Sequence, residues 1–531
     1  MTTPAATLPA FNTLPALIRA HAQLAPDRLA LVETGSATAG GKAATGHSLT
    51  YAALDRLMDR VAAALQHSSL RPGDAIAICA TMSVHYAAVF LGALRAGVVV
   101  APLAPGSTPD SFARMLSDAG ARLLFTDAAA SDTVGTAGAG QIARITLDGS
   151  GGGTPLSNWL AAEDARPEPV AIEPGWPFNI IYSSGTTGAP KGIVQSHGMR
   201  WAHVTRGATY GYGPETVTLL STPLYSNTTL VVFFPTLAFG GTVLLMPRFD
   251  AAGYLKLAQD HRVTHTMLVP VQYQRLMARP DFDQHDLSAF RMKFSTSAPF
   301  HAALKADVLA RWPGGLVEFY GMTEGGGTCI LEAHLHPAKL HTVGRPAEGH
   351  DIRLIDDDGR EVAPGEAGEV VGHSGGMMTG YHGQPEKTRE AEWFAPDGKR
   401  FIRTGDVGRF DADGFLTLFD RKKDMIISGG FNIYPSDLEA LLREHPAVAE
   451  AAVVGVPSAD WGETPVAFVV PRPGAESPDD AALRDWLNNR VGKTQRLAAV
   501  RFVAELPRSA IGKVLKRELR DWHAGAAAAD A

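Results

Sequence analysis

Residues 181–195 read IYSSGTTGAPKGIVQ, and this stretch is the most informative motif for the fold and the chemistry of the chain. A short apolar strand pattern leads into a loop of glycines and hydroxyl residues. Glycines let the backbone approach a ligand closely, exposed N–H groups and hydroxyls bind oxygen atoms, and a lysine neutralises negative charge. Residues 183–192, here called the phosphate loop, are therefore predicted to bind a polyphosphate through Ser183, Ser184, Gly185, Thr186, Thr187, Gly188 and Lys191.

The phosphate loop differs from the P-loop of nucleoside triphosphatases. After Gly185 that pattern requires Gly-Lys-Ser/Thr at positions 190–192, where this chain has Pro-Lys-Gly. An ordinary P-loop NTPase is therefore excluded. Taken without other motifs, an ordinary Ser/Thr/Gly surface loop is the structural alternative.

The sequence on either side of the loop alternates apolar strand patterns with amphipathic helices. Residues 74–80 and 98–103 are typical of strands, and residues 84–97 between them are typical of a helix. This order favours a parallel β-α-β unit and an α/β fold with buried sheets. The same rhythm recurs at residues 121–128, 242–247 and 264–270.

After about residue 350 the pattern changes to β-hairpins and then to a compact α+β segment. Residues 350–362 and 408–420 have strand patterns around Asp-Gly turns. Beyond Arg421, two helix patterns enclose two strand patterns. The sequence predicts a large N-terminal domain of α/β sheets with a β-rich subdomain, residues 1–420, and a small mobile α+β domain, residues 421–531.

Two low-complexity stretches, residues 34–47 and 128–153, interrupt these patterns. They are rich in Gly, Ala, Ser and Thr. Because such residues bury little apolar surface, both stretches are predicted to be surface loops.

The composition excludes several classes of protein. The net charge of −7, from 48 basic and 55 acidic residues, contains no block of like charge and disfavours nucleic-acid binding. The first residues lack a signal-peptide pattern, and no uninterrupted apolar run reaches the roughly 18 residues of a membrane span. Cys79 and Cys329 have no CxxC partner, which predicts small buried residues of a reduced, cytoplasmic protein.

Further motifs follow the phosphate loop in an order that resembles one family. They are residues 320–324, 403–406, 427–435 and 507–513. On these motifs the chain resembles the acyl-adenylate-forming superfamily, which includes acyl-CoA synthetases, coumarate–CoA ligases, firefly luciferase and the adenylation domains of peptide synthetases. It looks most like an acyl-CoA synthetase, and the resemblance runs from about Thr13 to Trp522.

The resemblance implies contacts to ATP and AMP. Residues 320–324 resemble the YGxTE element, in which the tyrosine lies against adenine, the threonine reaches a phosphate and Glu324 holds the Mg²⁺ that ATP brings. Asp406, in a TGD element, would bind the ribose hydroxyls. The turn at Ser297 lacks the glycine that the family pattern has. The remaining implied contacts are Ala298, Pro299, Tyr320, Gly321, Met322, Thr323 and Arg421.

The C-terminal motifs imply a second set of roles. Lys423 matches the hinge about which the C-terminal domain rotates between half-reactions. Gly429, Gly430 and Phe431 match the loop that lines the pantetheine tunnel for coenzyme A. Lys513 matches the lysine that bridges the substrate carboxylate and the α-phosphate. The catalytic residues implied by the resemblance are Thr186, Lys191, Glu324 and Lys513.

The acyl pocket is the part for which the resemblance is the weakest guide. Ser226 stands where many family members have a histidine, which indicates a small and partly polar pocket floor. Candidate pocket residues are His197, Tyr225, Ser226, Thr228 and Thr229. For His197, Thr228 and Thr229 the structural alternative is an ordinary core position.

The sequence therefore predicts an ATP-dependent acid–thiol ligase that forms acyl-AMP and pyrophosphate and then transfers the acyl group to coenzyme A. Its cofactors and partners are ATP, Mg²⁺, coenzyme A and a small carboxylic acid. A free-standing adenylation enzyme that loads a carrier protein is the nearest alternative. A non-catalytic binding relative is another, against which Lys191, Glu324, Asp406 and Lys513 argue. Fatty, aryl, and short hydroxy- or branched acids stay open, as does a homodimer.

Overall fold

The computed structural model describes residues 10–35, 46–136, 142–183, 191–428, 431–458, 461–475, 478–509 and 512–529. The chain divides into two compact units. The N-terminal unit comprises Met1–Leu340, Pro346–Asp351 and Gly372–Ile402. The C-terminal unit comprises His341–Arg345, Ile352–Val371 and Arg403–Ala531.

The helices and strands are numbered in chain order. The α-helices are α1 Leu14–Leu24, α2 Tyr51–His67, α3 Val84–Arg95, α4 Pro109–Asp118, α5 Ser131–Thr136, α6 Leu156–Trp159, α7 His197–Arg206, α8 Asn227–Ala238, α9 Ala251–Asp260, α10 Pro270–Met277, α11 Ala302–Arg311, α12 Pro385–Glu390, α13 Pro435–Glu444, α14 Asp480–Asn488 and α15 Lys516–Ala529. The strands are β1 Leu29–Glu33, β2 Ser48–Thr50, β3 Ala75–Cys79, β4 Val99–Leu103, β5 Ala121–Thr126, β6 Ala143–Thr146, β7 Thr154–Pro155, β8 Pro177–Ser183, β9 Lys191–Ser196, β10 Val217–Leu220, β11 Thr242–Leu245, β12 His265–Leu268, β13 Met292–Ser295, β14 Gly315–Gly321, β15 Thr328–Glu332, β16 Arg345–Pro346, β17 Asp351–Ile355, β18 Gly368–His373, β19 Gly380–Tyr381, β20 Glu392–Phe394, β21 Arg400–Phe410, β22 Leu416–Arg421, β23 Ile426–Ser428, β24 Phe431–Ile433, β25 Val448–Ser458, β26 Gly462–Pro471 and β27 Ala499–Phe502.

One sheet of the N-terminal unit has the order β19-β9-β8-β4-β3-β5-β6-β7. Strands β3 and β4 are parallel, with Ala75 opposite Val99, and α3 connects them. This confirms the predicted β-α-β unit. All five residues of each of these two strands are buried, as expected for a parallel sheet covered on both faces.

A second sheet of this unit runs in the order β15-β14-β13-β12-β10-β11-β1-β2. The strands from β14 to β11 are parallel, so that their carboxyl ends meet at one edge. The strands predicted at 242–247 and 264–270 are β11 and β12. The largest apolar core joins the helices to both sheets through residues such as Phe90, Phe178 and Phe234.

The C-terminal unit contains the predicted hairpins and the predicted α+β segment. Strands β21 and β22 pair antiparallel across an Asp-Gly turn. A second sheet has the order β24-β23-β26-β25, with β27 parallel to β26. Helices α13 and α14 cover it through Leu438, Leu442, Leu483 and Leu487, whose spacing places one apolar face of each helix on the core.

The prediction of loops at residues 128–153 is wrong in part. Helix α5 and strand β6 lie within this stretch, and β6 pairs parallel with β5. Val134, Ile145 and Leu147 are buried, so a few scattered apolar side chains attach this stretch to the core. Of the stretch 34–47, residues 36–45 lie outside the described residues.

Two other predictions concern single features. Cys79 and Cys329 are both buried and free, as predicted. No helix in the described part of the chain combines the length and the apolar character needed to cross a membrane.

Candidate active site

The phosphate loop connects the two strands of a β-hairpin. Strands β8 and β9 pair antiparallel with Ser183 opposite Lys191, so the two ends of the loop lie side by side. Ser184, Gly185, Thr186, Thr187 and Gly188 lie outside the described residues, as does the side chain of Ser183. Their roles stay predictions, whereas the strand pairing fixes the position of Lys191.

A tyrosine joins Lys191 to Glu324. The Lys191 ammonium group lies 4.9 Å from the centre of the Tyr381 ring. The Tyr381 hydroxyl donates a hydrogen bond of 2.8 Å to Oε1 of the buried Glu324. Burial first, and then the Glu324 carboxylate, raise the pKa of Tyr381, so its hydroxyl keeps its proton and remains a donor. The structure thus brings two predicted catalytic residues together.

The segment that contains Glu324 is tied to the phosphate-loop hairpin by a glutamine. Gln195 Nε2 on β9 donates to the carbonyl oxygen of Thr323 at 2.8 Å, and Asn179 Nδ2 on β8 donates to Gln195 Oε1 at 3.1 Å. Tyr320 and Gly321 are the last residues of β14, and Met322 and Thr323 follow that strand. Buried amides therefore hold the motif at 320–324 beside strands β8 and β9.

Backbone crowding fixes the chain directly after Glu324. Gly325 has a φ of +74°, and a Cβ atom there would lie 2.1 Å from the carbonyl oxygen of Gly376. Ser374 Oγ donates to the Gly325 carbonyl oxygen at 2.7 Å, and Met378 N donates to that of Glu324 at 2.7 Å. Glycine is required here because any side chain would displace the neighbouring segment.

The turn after β13 places a serine in an unusual backbone conformation. Ser297 has a φ of +80°, a region that favours glycine. Its hydroxyl lies 2.6 Å from that of Thr228, at the start of α8. Ala298 is half-buried and Pro299 is exposed. The missing glycine of the family pattern is thus replaced by a strained serine whose hydroxyl is bonded to a predicted pocket residue.

The other predicted pocket residues have clear structural partners. Ser226 caps α8 by accepting from Thr228 N at 3.3 Å. The Thr229 hydroxyl donates to the carbonyl oxygen of Pro223 at 2.7 Å and is fully buried. Tyr225 is half-buried. His197 is buried against Phe178, and burial lowers its pKa to about 4, so its imidazole is neutral.

In the C-terminal unit two predicted nucleotide contacts, Asp406 and Arg421, form an ion pair. Asp406 on β21 lies opposite Arg421 on β22, and Arg421 Nε is 3.2 Å from Asp406 Oδ1. Thr404 Oγ1 accepts from Asp406 N at 3.0 Å and donates to the Val370 carbonyl oxygen at 2.9 Å. The carboxylate is therefore fixed at a defined place on the hairpin.

Lys513 lies within electrostatic range of this ion pair. Hydrogen bonds between Ser509 and Lys513 form the turn that presents it. Burial first, and then the Arg421 charge, lower the pKa of Lys513 to about 8, while Asp406 acts in the opposite direction. Motif residues that are about 100 positions apart in sequence thus meet in one unit, as the resemblance implied.

Other C-terminal predictions are only partly described. Lys423 is exposed, and partial desolvation lowers its pKa. Gly429 and Gly430 lie outside the described residues. Phe431 exposes 63% of its surface, which is unusual for a large apolar side chain. The tunnel and hinge roles stay predictions.

The described residues fit a magnesium ion that arrives with ATP. Among them, no group of three or more His, Cys, Asp or Glu side chains could hold a metal ion. Mg²⁺ in nucleotide sites is typically bound by one or two carboxylates together with phosphates and water. Glu324, with one oxygen bonded to Tyr381, can supply such a carboxylate.

Sequence reasoning missed two residues that build the site. Gln195 lies within the stretch 181–195, but nothing in the sequence distinguished it from an ordinary residue of a strand. Tyr381 is 57 positions from Glu324 and lies outside the recognised motifs. The only sign of a role for Tyr381 in the local sequence is that it is an aromatic residue within a Gly-rich segment.

These two groups of residues define a class of protein. A hairpin loop that ends in a lysine, which a tyrosine joins to a buried glutamate, and a second lysine within electrostatic range of an Asp–Arg pair are the arrangement expected of an ATP-dependent enzyme that activates an acid as its acyl-adenylate.

The chain belongs to the AMP-binding enzyme family. The family's sequence profile, AMP-binding enzyme, matches residues 18–382, and the profile AMP-binding enzyme C-terminal domain matches residues 437–513. This confirms the predicted superfamily, the α/β fold and the ligase chemistry of acid activation.

Individual relatives cover almost the whole chain. Feruloyl-CoA synthase of Amycolatopsis sp is 36% identical over 481 residues, which are 90% of this chain and 94% of that protein. Fatty acid–acyl-carrier-protein ligase ScoC of Streptomyces coeruleorubidus is 33% identical over 486 residues, 90% of this chain and 92% of that protein. The crystal structure of ATP-bound MatB from Rhodopseudomonas palustris has a TM-score of 0.84 and 29% identity, and the match covers 96% of this chain and 99% of that one.

Proposed function

We propose that this enzyme is an acid–CoA ligase that works in two half-reactions. In the first, a carboxylate oxygen bonds to the α-phosphorus of ATP and the bond to the β-phosphate breaks, which releases pyrophosphate. In the second, the sulfur of coenzyme A, having lost its proton, bonds to the acyl carbon, and the bond to AMP breaks. The observation that carries this proposal is that Lys513 lies within electrostatic range of the Asp406–Arg421 ion pair.

The first half-reaction needs positive charge at the phosphates. Lys191, whose place on β9 is set by pairing with β8, would neutralise the leaving pyrophosphate. Lys513 would bridge the attacking carboxylate and the α-phosphate, and Asp406 would orient the ribose. Glu324 would hold Mg²⁺, which supplies additional positive charge at the phosphates when bound. Tyr381 fixes the Glu324 carboxylate by its hydrogen bond.

The identity of the thiol rests on the relatives. Feruloyl-CoA synthase is named for a CoA thioester, which favours coenzyme A. Fatty acid–acyl-carrier-protein ligase ScoC is named for transfer to a carrier protein, and this supports the second candidate function, loading of a phosphopantetheine arm. We favour coenzyme A because an aryl-CoA synthase is the more similar of these two proteins.

A panel of carboxylic acids distinguishes these functions. Pyrophosphate release is measured for each acid with ATP and Mg²⁺, first alone, then with coenzyme A, and then with a phosphopantetheinylated carrier protein. We expect acid-dependent release and a thioester with coenzyme A. A thioester on the carrier protein alone would replace the first candidate by the second. Acid-independent release in every case would contradict both.

A further inference from the structure

Four basic side chains of the N-terminal unit stand together, and we call Arg200, His203, Arg206 and His350 the basic cluster. The first three follow one another at intervals of three residues on α7. Arg200 Nη1 lies 3.5 Å from His203 Nδ1. His350 accepts from Thr328 N at 2.9 Å and lies within electrostatic range of Arg206.

The Arg200 guanidinium is buried among neutral groups. The residue exposes 1% of its surface. Its Nε donates to Asn179 Oδ1 at 2.9 Å and its Nη1 to Asn227 Oδ1 at 2.7 Å, while Nη2 is buried without a partner in the described structure. Rings of Phe178 and Phe234 lie 5.8 and 5.5 Å from the guanidinium carbon. An unpaired buried cation is costly unless an anion joins it.

Arg206 likewise has no carboxylate partner among the described residues. Its guanidinium lies 5.8 Å from the centre of the Phe319 ring. Within the described ranges it makes neither an ion pair nor a side-chain hydrogen bond. Burial lowers the pKa of Arg206, and the neighbouring Tyr210 phenol acts in the opposite direction.

The basic cluster carries a net positive charge, because its two histidines are neutral while its arginines stay protonated. Burial first, and then the arginine charges, lower the pKa of His203 well below its usual value. The same causes lower the pKa of His350 to about 4. Burial lowers the pKa of Arg200 only to about 9, so its guanidinium stays charged at neutral pH. In the described part of the chain, two guanidinium charges are thus left without an opposing carboxylate.

Both arginines contact residues that are next in sequence to predicted substrate contacts. Arg200 donates to Asn227, which precedes Thr228, and the Thr228 hydroxyl is bonded to Ser297. Arg206 lies over the ring of Phe319, which precedes Tyr320, the predicted adenine contact. The two cations are therefore connected through one residue each to the segments from which the acyl pocket is predicted.

We infer that the acid substrate has a second oxyanionic group, a carboxylate or a sulfonate, and that Arg206 binds it with Arg200 behind it. The inference rests on the proposed function and specifies its substrate class. A second anion would pair with Arg206 and reduce the cost of the unpaired positive charge. The polar hydroxyls of Thr228 and Ser297 would bind the same region of the substrate. An uncharged fatty chain would leave both guanidiniums unpaired.

The test compares acids in matched pairs: butyrate with succinate, benzoate with terephthalate, and propionate with 3-sulfopropionate. Acid-dependent ATP–pyrophosphate exchange gives kcat/KM for each acid. We expect the dianionic member of at least one pair to exceed its partner by about tenfold or more. Arg206→Met should remove that preference by lowering kcat/KM for the dianion about tenfold or more while leaving the monoanion within about threefold. Arg206→Lys should retain part of it.

Two controls separate this role from folding. Arg275→Met removes an exposed arginine of α10 and should leave all ratios unchanged. Thermal unfolding shows whether Arg206→Met is folded, and the Lys variant tests the charge if it is not. Monoanions preferred in every pair, or equal losses for both members in Arg206→Met, would overturn the inference. Exchange with no acid at all would contradict the proposed function as well.

Discussion

At the scale of the residue, the environment of Lys513 sets its chemistry. Arg421 and Lys423 disfavour the ammonium form, whereas Asp406 and Asp424 favour it, and burial lowers its pKa most. The result is a lysine with a pKa of about 8. Negative phosphates bound nearby would favour its protonated form and raise this pKa.

The first prediction concerns pH. Only protonated Lys513 can stabilise the developing charge at phosphorus, so kcat/KM for pyrophosphate exchange should fall as pH rises through about 8. Lys513→Arg should move this decline to higher pH, because a guanidinium stays charged. A profile that is identical in both proteins would contradict the assignment.

The second prediction concerns the strain at Ser297. Ser297 has a φ of +80°, a conformation that has a higher free energy for alanine than for glycine. Ser297→Ala and Ser297→Gly both lose the hydroxyl bonded to Thr228, so the difference between them isolates the backbone. We expect the glycine variant to have the larger free energy of unfolding, by about 0.5–1 kcal/mol, in urea denaturation. Equal stabilities would mean that the turn relaxes.

At the scale of the element, the β8–β9 hairpin organises the N-terminal part of the site. Pairing of the two strands positions Lys191, and Gln195 on the same hairpin holds the segment that ends in Glu324. The crowded backbone at Gly325 then prevents that segment from shifting. Regular strands thus supply the fixed geometry that electrostatic catalysis requires.

The third prediction tests the close contact at Gly325. Gly325→Ala introduces a Cβ 2.1 Å from a backbone oxygen. Gly211→Ala is the matched control, because Gly211 has a φ of +70° and nothing within 4 Å of its Cβ position. We expect Gly325→Ala to lose about 2 kcal/mol more than the control and to raise the KM for ATP. Equal losses in the two variants would contradict the contact.

What the sequence could predict at this scale depended on local patterns. Apolar runs and Gly-closed helices identified β3, α3 and β4, because burial on both faces leaves a continuous apolar strand. Strand β6 was missed because Ile145 is the one large apolar residue in a short strand of a Gly- and Ala-rich stretch. Tyr381 and Arg200 contact residues that are distant in sequence, and local sequence patterns do not predict such contacts.

At the scale of the whole molecule, the predicted hinge residue lies between two residues that form ion pairs. Lys422 pairs with Asp357 at 2.7 Å and Glu369 at 3.3 Å, while Asp424 pairs with Arg520 on α15 at 2.9 Å. Lys423 between them makes no such pair with any residue that the structure describes. We propose that rotation occurs at this residue and converts the enzyme between its two half-reactions. The family motifs predicted the hinge, whereas the ion pairs on either side of it could be identified only from the structure.

The fourth prediction is that Lys423→Pro separates the two half-reactions. Proline fixes φ, and in the described structure the Lys423 N–H donates no backbone hydrogen bond that it would remove. We expect pyrophosphate exchange to persist while thioester formation from acyl-AMP and coenzyme A falls about 100-fold. Lys423→Ala, which keeps the backbone free, should retain both. Normal thioester formation in the proline variant would contradict the hinge.

The central claim is that Lys513 serves adenylation alone. The most direct measurement compares acid-dependent pyrophosphate exchange with thioester formation from supplied acyl-AMP in Lys513→Ala. The account predicts that exchange falls about 100-fold or more while the thioester forms at close to the wild-type rate. Equal loss of both activities in a folded variant would contradict it.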